Sequence, residues 1–129
     1  MKLIKLFCLL LLGSCGADLV VAGEIVLENQ HYRYSIEDNG KNLAFVDKAS
    51  GKNYLSQSDV SYCASIVLNG KKYPVSKVQY NTSGYLKLDF APFSVSVSLK
   101  VHSDNDAIFW EIAEVKRNVE SLVFLDIPL

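Results

Sequence analysis

Cysteine is scarce in this chain, and its scarcity excludes a disulfide-stabilised fold. Cys8 and Cys15 fall within the first 23 residues, and Cys63 is the only cysteine in the remainder. If the first stretch is removed, no internal disulfide can form. A small exported domain without disulfides must rely on its apolar core. No signature of a cysteine hydrolase surrounds Cys63, so we expect a small buried or half-buried side chain there.

Histidine is scarcer still, which leaves little material for a metal centre or a general base. His31 and His102 are the only two, and each lies on the polar side of a predicted strand. We expect both to be solvated surface residues, because a metal or catalytic role needs convergent partners. The run 104–106 lacks the spacing of an EF-hand loop and predicts a turn. A glycosidase needs two carboxylates a fixed distance apart, and the sequence does not single out a pair among Glu111, Glu114 and Asp126. No catalytic residue, metal ligand or cofactor site is assigned.

The chain also lacks an apolar run long enough for a transmembrane helix. Its longest apolar run, Leu6 to Leu12, is far shorter than the ~20 residues that span a bilayer. Lys2 and Lys5 precede this run and small residues follow it. That layout predicts a secretory signal peptide over residues 1–23.

Two cleavage sites compete within this leader. Leu12-Gly13-Ser14-Cys15 resembles the lipobox of bacterial lipoproteins, in which the cysteine thiol carries the lipid. The alternative is cleavage by a general signal peptidase near Val20-Val21-Ala22-Gly23. We favour the lipobox because Cys15 stands directly where the apolar run ends. The prediction is a periplasmic or cell-surface lipoprotein of a Gram-negative bacterium, lipidated at Cys15, and the alternative is a secreted soluble protein.

Neither sign of charge is in excess. The formal net charge is −1, and cleavage before Cys15 removes Lys2 and Lys5 to leave 11 basic and 14 acidic residues. No basic patch suggests binding to nucleic acid or to an anionic membrane surface. A lipid anchor is therefore the only membrane contact that we predict.

Long helical periods are absent from residues 24–129, which read instead as short alternating segments separated by turn residues. The clearest alternation runs from Phe93 to Val101, with apolar residues on one side and serine or lysine on the other. Asn39-Gly40 and Asn69-Gly70 are strong turn signals. We predict an all-β fold, an antiparallel sandwich or supersandwich-like meander. Its strands are 25–27, 31–36, 43–46, 60–68, 71–75, 78–80, 85–90, 93–101, 107–115 and 122–127.

Two of these segments carry further expectations. Ala107 to Val115 is apolar on both faces at its start, which predicts a central strand covered on both sides; a helix over 107–118 is the rival interpretation. The last segment, Leu122 to Ile127, is apolar and has no polar tail, and an exposed edge of that kind is a liability. We therefore expect the chain to be the N-terminal part of a longer protein and its domain to be incomplete.

Aromatic residues are the best candidates for a binding role. The single tryptophan, Trp110, and seven tyrosines supply flat faces of the kind that stack on sugar rings. The same residues are ordinary core material, and we favour core packing as the role of most of them. Trp110, Tyr54 and Tyr85 are the predicted ligand-stacking residues, with the two tyrosines expected to be exposed.

The order of turn phrases is similar to that of a known family. Four phrases of the sequence carry this likeness: Asp38-Asn39-Gly40, the run Asp47 to Leu55, Trp110-Glu111-Ile112 and the run Val119 to Leu129. They resemble the N-terminal galactose-mutarotase-like β-sandwich, or supersandwich, domain of secreted bacterial glycoside hydrolases. The resemblance spans most of residues 24–129 through loose turn phrases. It implies that this domain supports or borders a catalytic domain elsewhere in the chain, where the catalytic carboxylates lie. Such a sandwich is commonly much longer than this chain.

Two functions follow as expectations. The first is a non-catalytic, carbohydrate-associated β-sandwich module of an exported glycan-processing protein, an accessory domain of a glycoside hydrolase that contacts carbohydrate or an adjoining catalytic domain. The alternative is a stand-alone cell-surface lipoprotein that binds a glycan or a protein partner. An autonomous small enzyme ranks last, because signatures for a nucleophile, a base and a metal are missing from the sequence.

Overall fold

The protein is all-β in the computed structural model, which describes residues 23–129. The predicted leader and the predicted lipidation site at Cys15 lie outside the described residues. Ten strands follow one another, and the described residues contain no helix. They are β1 (Glu24–Glu28), β2 (Tyr32–Glu37), β3 (Asn42–Asp47), β4 (Ala64–Leu68), β5 (Lys71–Pro74), β6 (Lys77–Tyr80), β7 (Tyr85–Phe90), β8 (Val95–Ser103), β9 (Ile108–Lys116) and β10 (Ser121–Phe124).

The strands form three antiparallel sheets. Their orders are β1-β2-β3, β10-β4-β5 and β6-β7-β8-β9. The first and third sheets are meanders in which each strand pairs with its neighbour in sequence. In the second sheet β10 returns from the end of the described chain to pair with β4, with Ser121 opposite Val67. The all-β, sandwich-like prediction is confirmed.

Turn residues set the hairpins where the sequence predicted them. Leu68 pairs with Lys71, so the β4–β5 hairpin has a two-residue loop. Asn69 and Gly70 both have positive φ, 51° and 73°, as a type I′ turn requires. The Glu120 carboxylate accepts both N–H groups of this loop, from Asn69 at 2.6 Å and from Gly70 at 3.2 Å.

The core lies where the inner faces of the three sheets meet. Alternate residues of β7 and β8 are buried, and the residues between them face solvent, as the two-residue period predicts. These side chains pack in one cluster with residues of the other two sheets, which closes a sandwich-like core. Its members in the β6–β9 sheet are Val78, Leu86, Leu88, Phe90, Val95, Val97, Leu99 and Val101, and those facing them are Leu27, Tyr34, Ile36, Cys63, Ala64, Ile66 and Val75.

The segment 107–115 is a strand, as predicted, and the helical alternative is wrong. Its predicted position at the centre of a sheet is also wrong, because β9 is the edge strand beside β8. Ile112 and Val115 lie directly opposite the buried Leu99 and Val97, yet they are 58% and 45% exposed. The apolar character on both faces predicts two covering layers. Instead, within residues 23–129, the layer that covers the inner faces of β7 and β8 does not cover β9 at Ile112 and Val115.

A second difference concerns the start of β4. The sequence predicts a strand from Val60, but the pairing begins at Ala64, and Val60 is 63% exposed. The stretch before β4 bonds instead to the β2–β3 turn and the first residue of β3: Cys63 donates its N–H to the Gly40 carbonyl, and Asn42 donates its N–H to the Ser61 carbonyl. This contact joins the first two sheets. Cys63 itself is buried and free, as expected.

Candidate functional site

A cleft lined mainly by aromatic and aliphatic side chains opens between the first sheet and the β9–β10 region. Its volume is about 260 Å³. Strands β2 and β3 supply one wall, β9 supplies the opposite wall, and the segment that follows β10 completes the rim. The lining residues are Tyr32, Tyr34, Phe45, Ile108, Trp110, Leu125 and Ile127.

The wall from β2 and β3 is a packed aromatic group. Tyr32 and Tyr34 are two residues apart in β2 and therefore share one face of the sheet. Phe45 lies opposite Tyr34 in β3. Its ring stacks on Tyr32 with centroids 5.6 Å apart and planes 23° apart, and it meets Tyr34 at 6.1 Å in a tilted arrangement. The mutual packing holds these rings in place without any ligand.

The opposite wall is formed by Ile108 and Trp110, which also lie two residues apart on one face. The Trp110 ring meets Phe124 of β10 edge to face, with centroids 4.9 Å apart. That contact fixes one side of the half-buried indole, and the other side borders the cleft. Leu125 follows at once with φ 60°, a left-handed conformation that is uncommon outside glycine. Its side chain is 37% exposed at the cleft rim.

Among the described residues that line the cleft none is acidic or basic, and the polar side-chain groups are the tyrosine hydroxyls and the indole N–H of Trp110. The Tyr34 hydroxyl donates a hydrogen bond to Oδ1 of buried Asn42. Burial raises the pKa of Tyr34 well above its ordinary value, so this hydroxyl stays neutral across the physiological range. The cleft can therefore offer flat aromatic faces, apolar contact and tyrosine hydroxyls.

The three predicted stacking residues are not brought together. Trp110 lines the cleft, whereas Tyr54 and Tyr85 lie outside it. Both tyrosines are exposed, as expected, but each carries a lysine ammonium near its face. Lys52 Nζ is 4.6 Å from the centroid of Tyr54, and Lys100 Nζ is 4.5 Å from that of Tyr85.

The sequence interpretation missed Tyr32 and Phe45 as neighbours of Trp110. The two-residue period of this segment does place Tyr32 and Tyr34 on one face, so the sequence indicates that these two tyrosines lie side by side. Nothing in the sequence relates that face to β9, because the two walls belong to different sheets.

The histidines and the acidic turn lie away from the cleft. The His31 ring is exposed and its Nε2 is 3.6 Å from Oδ1 of Asp106, and the exposed His102 ring stacks on Phe109 at 5.1 Å. Asp104 accepts the N–H groups of Asp106 and Ala107, both at 2.9 Å, and these bonds lower the pKa of its carboxyl. The predicted turn is confirmed. Across residues 23–129 no group of three or more His, Cys, Asp or Glu side chains could hold a metal ion.

No helix within residues 23–129 is long and apolar enough to cross a bilayer. Comparisons with protein-family models, curated proteins and solved structures gave no match to this chain.

Proposed function

We propose that this chain is a non-catalytic, carbohydrate-associated β-sandwich module of an exported glycan-processing protein, with the aromatic cleft as its binding surface. The observation that carries the proposal is the cleft itself, where Tyr32, Phe45 and Trp110 border one opening. Aromatic faces are the protein groups best suited to the apolar face of a sugar ring. The expected ligand is a neutral glycan, since no charged side chain lines the opening.

The size and chemistry of the cleft favour a single ring over a long chain. At about 260 Å³ it falls just below the ~300–1,000 Å³ of sites that enclose drug-sized ligands. The hydroxyls of Tyr32 and Tyr34 are the polar groups at hand, and Tyr34 already donates its proton to Asn42. A terminal sugar, or one ring of a longer glycan that continues into solvent, fits these limits.

The exported context of the proposal comes from the leader and from the family resemblance. A signal peptide that ends at a lipidated Cys15 would place the module at the cell surface or in the periplasm. The likeness to galactose-mutarotase-like domains would place it beside a catalytic domain that carries the reacting carboxylates. Its role would then be to hold glycan near that domain and to shape one wall of the substrate cleft.

A second function is favoured by one feature of the rim. Leu125 and Ile127 add aliphatic surface, which suits an apolar side chain of a protein partner as well as it suits a sugar. In this alternative the chain is a stand-alone cell-surface lipoprotein. Titration with glycans separates the two functions, because a site for a protein side chain would leave Trp110 unresponsive to sugars.

The test uses the only tryptophan of the chain as a reporter. Neutral oligosaccharides are titrated against the protein, and we expect the Trp110 emission to shift and saturate. Tyr32→Ala removes one wall and keeps the reporter, so it should weaken binding roughly three- to tenfold. Tyr54→Ala removes an exposed tyrosine outside the cleft and should leave the affinity unchanged.

Two outcomes would count against the proposal. One is an emission spectrum that no neutral glycan changes, with calorimetry equally silent. The other is a loss of affinity that is as large for Tyr54→Ala as for Tyr32→Ala, since binding would then lie elsewhere. Circular dichroism of each variant shows whether its fold is intact.

A further inference from the structure

Strand β9 is a long edge strand whose outer side has no partner among the described residues. It has nine residues and pairs only with β8. Other edges of the described sheets are short or covered: β1 has five residues, β5 has four and ends in Pro74, β6 and β10 have four each, and the segment 52–54 bonds to β3. Long, exposed edges are the ones that recruit another strand.

The backbone of β9 is oriented to accept such a strand. Val101 donates its N–H to Gly84 on the β7 side. In an antiparallel sheet the direction of these groups alternates along the strand, so Lys100 and His102 bond to β9, while Val97, Leu99 and Val101 bond to β7. It follows that Ile112 and Val115, which lie opposite Leu99 and Val97, point their N–H and C=O groups at the free edge.

The side chains of β9 are complementary to a second copy of themselves. Glu111 and Lys116 lie on the outer face of the sheet, and Ile112 and Val115 lie on the inner face. In an antiparallel pairing centred between Ala113 and Glu114, Ile112 meets Val115 of the second copy. The same register places Glu111 opposite Lys116 of the second copy, twice in each pair of strands.

The bulge in β9 lets the side-chain directions and the backbone directions agree in this register. Ser98 pairs with Glu114 and Leu99 with Ile112, so Ala113 has no partner in β8. Residues three apart in a regular strand point to opposite faces, but the extra residue brings Ile112 and Val115 to the same face. Because both also direct their backbone groups outward, they can form a hydrogen-bonded pair across the two-fold axis.

We propose that the chain forms a symmetric homodimer through antiparallel pairing of β9 with β9 of a second copy. The two four-stranded sheets then join into one continuous sheet of eight strands. Ile112 and Val115 of both copies cover one another on the inner face, and two Glu111–Lys116 pairs bridge the outer face. The inference is independent of any ligand in the aromatic cleft.

The test is a charge exchange in a chain with Cys15→Ser, so that a lipid cannot drive association. Sedimentation velocity over a range of concentrations should show a dimer. Glu111→Lys places lysine opposite lysine at both pairs, and Lys116→Glu places glutamate opposite glutamate. Each should weaken the dimer about tenfold or more. The double variant restores opposite charges and should regain an affinity within about threefold of the parent.

A backbone variant tests the pairing itself. Val115→Pro removes one N–H that points to the free edge, so the ladder to β8 keeps its bonds. We expect a folded monomer. Lys71→Glu, which changes an exposed lysine on β5, is the matched control and should leave the dimer unaffected.

Three results would overturn the proposal. The first is a parent chain that stays monomeric up to high micromolar concentration, as it would if another segment or protein occupies this edge. The second is a dimer that neither charge variant weakens, and the third is a double variant that stays as weak as the single ones.

Discussion

Among single residues, Asn42 joins two of the sheets through three side-chain hydrogen bonds. It is buried in β3, and its Oδ1 accepts a hydrogen bond from the Tyr34 hydroxyl. Its amide nitrogen donates to Ser61 Oγ and to the Asp126 carbonyl, both at 2.9 Å. These partners come from β2, from the stretch before β4 and from the segment after β10. One side chain thus connects the first sheet with the segments that flank the second.

Asn42→Ala should therefore destabilise the fold strongly. The change leaves the Tyr34 hydroxyl buried without its acceptor and removes both donations from the amide. An unsatisfied buried group costs ~1–3 kcal/mol, and a net loss of about 3 kcal/mol in the free energy of unfolding is expected. Urea unfolding followed by circular dichroism measures it.

The control for this variant is Asn39→Ala, because Asn39 is exposed and, within residues 23–129, its Oδ1 accepts only the Lys41 N–H. Its loss should stay within about 0.5–1 kcal/mol. Adding Tyr34→Phe to Asn42→Ala removes the stranded hydroxyl and should recover part of the stability. Equal losses for Asn39→Ala and Asn42→Ala would refute the connecting role.

Among the elements, the turns are fixed by their own residues, whereas the positions of strands in the sheets are not. Gly40 and Gly51 follow β2 and β3 and have φ of 89° and 74°. The space around them differs: a Cβ on Gly40 would lie 2.1 Å from Val75 Cγ1, and a Cβ on Gly51 would meet nothing within 4 Å. The first turn is thus packed into the core, and the second is open to solvent.

This contrast predicts unequal costs for one substitution. Gly51→Ala should lose about 1–2 kcal/mol, because only the left-handed backbone is strained. Gly40→Ala adds overpacking against Val75, which typically costs ~1–3 kcal/mol more. Urea unfolding of the two variants compares them directly. If the two losses agree within error, Val75 moves aside freely and the packing argument fails.

The same distinction explains what the sequence could predict. Alternation in β7 and β8 and the Asn-Gly turn before β5 are local signals, so the strands and hairpins were found. The place of β9 at an edge depends on which residues cover it, and the pairing of β10 with β4 joins segments far apart in sequence. A local pattern in the sequence indicates neither the edge position of β9 nor the pairing of β10 with β4. For that reason Trp110 was found as a candidate, but its neighbours Tyr32 and Phe45 were not.

At the scale of the whole molecule, one apolar core shared by three sheets holds residues 23–129 together, and the cysteine in this part of the chain forms no disulfide. Cys63 lies in that core with no exposed surface. Burial raises the pKa of its thiol from 9.0 to about 12. In the unfolded chain the thiol ionises near its ordinary pKa, so the stability linked to it is complete below about pH 9 and is lost as the pH rises towards 12.

Cys63 should consequently report global unfolding. In a chain with Cys8→Ser and Cys15→Ser it is the only thiol. At pH 8 a disulfide reagent should label the native protein at least about a thousandfold more slowly than the urea-unfolded protein, because labelling waits for unfolding. The rates are followed by absorbance of the released thiol. Labelling at nearly the unfolded rate would mean that local opening, and not global unfolding, exposes the core.

The pairing of β10 with β4 has a consequence for the order in which the sheets are completed. The β6–β9 meander closes only short loops, so each strand can pair as soon as its neighbour has been synthesised. The sheet containing β4 stays open along one side until residues 121–124 exist, and closing so long a loop carries a larger entropic cost. This one connection raises the relative contact order, which is the mean sequence separation of contacting residues divided by the chain length. Proteins with a higher relative contact order fold more slowly. During synthesis the β4 edge therefore waits, unpaired, for one of the last strands of the described chain.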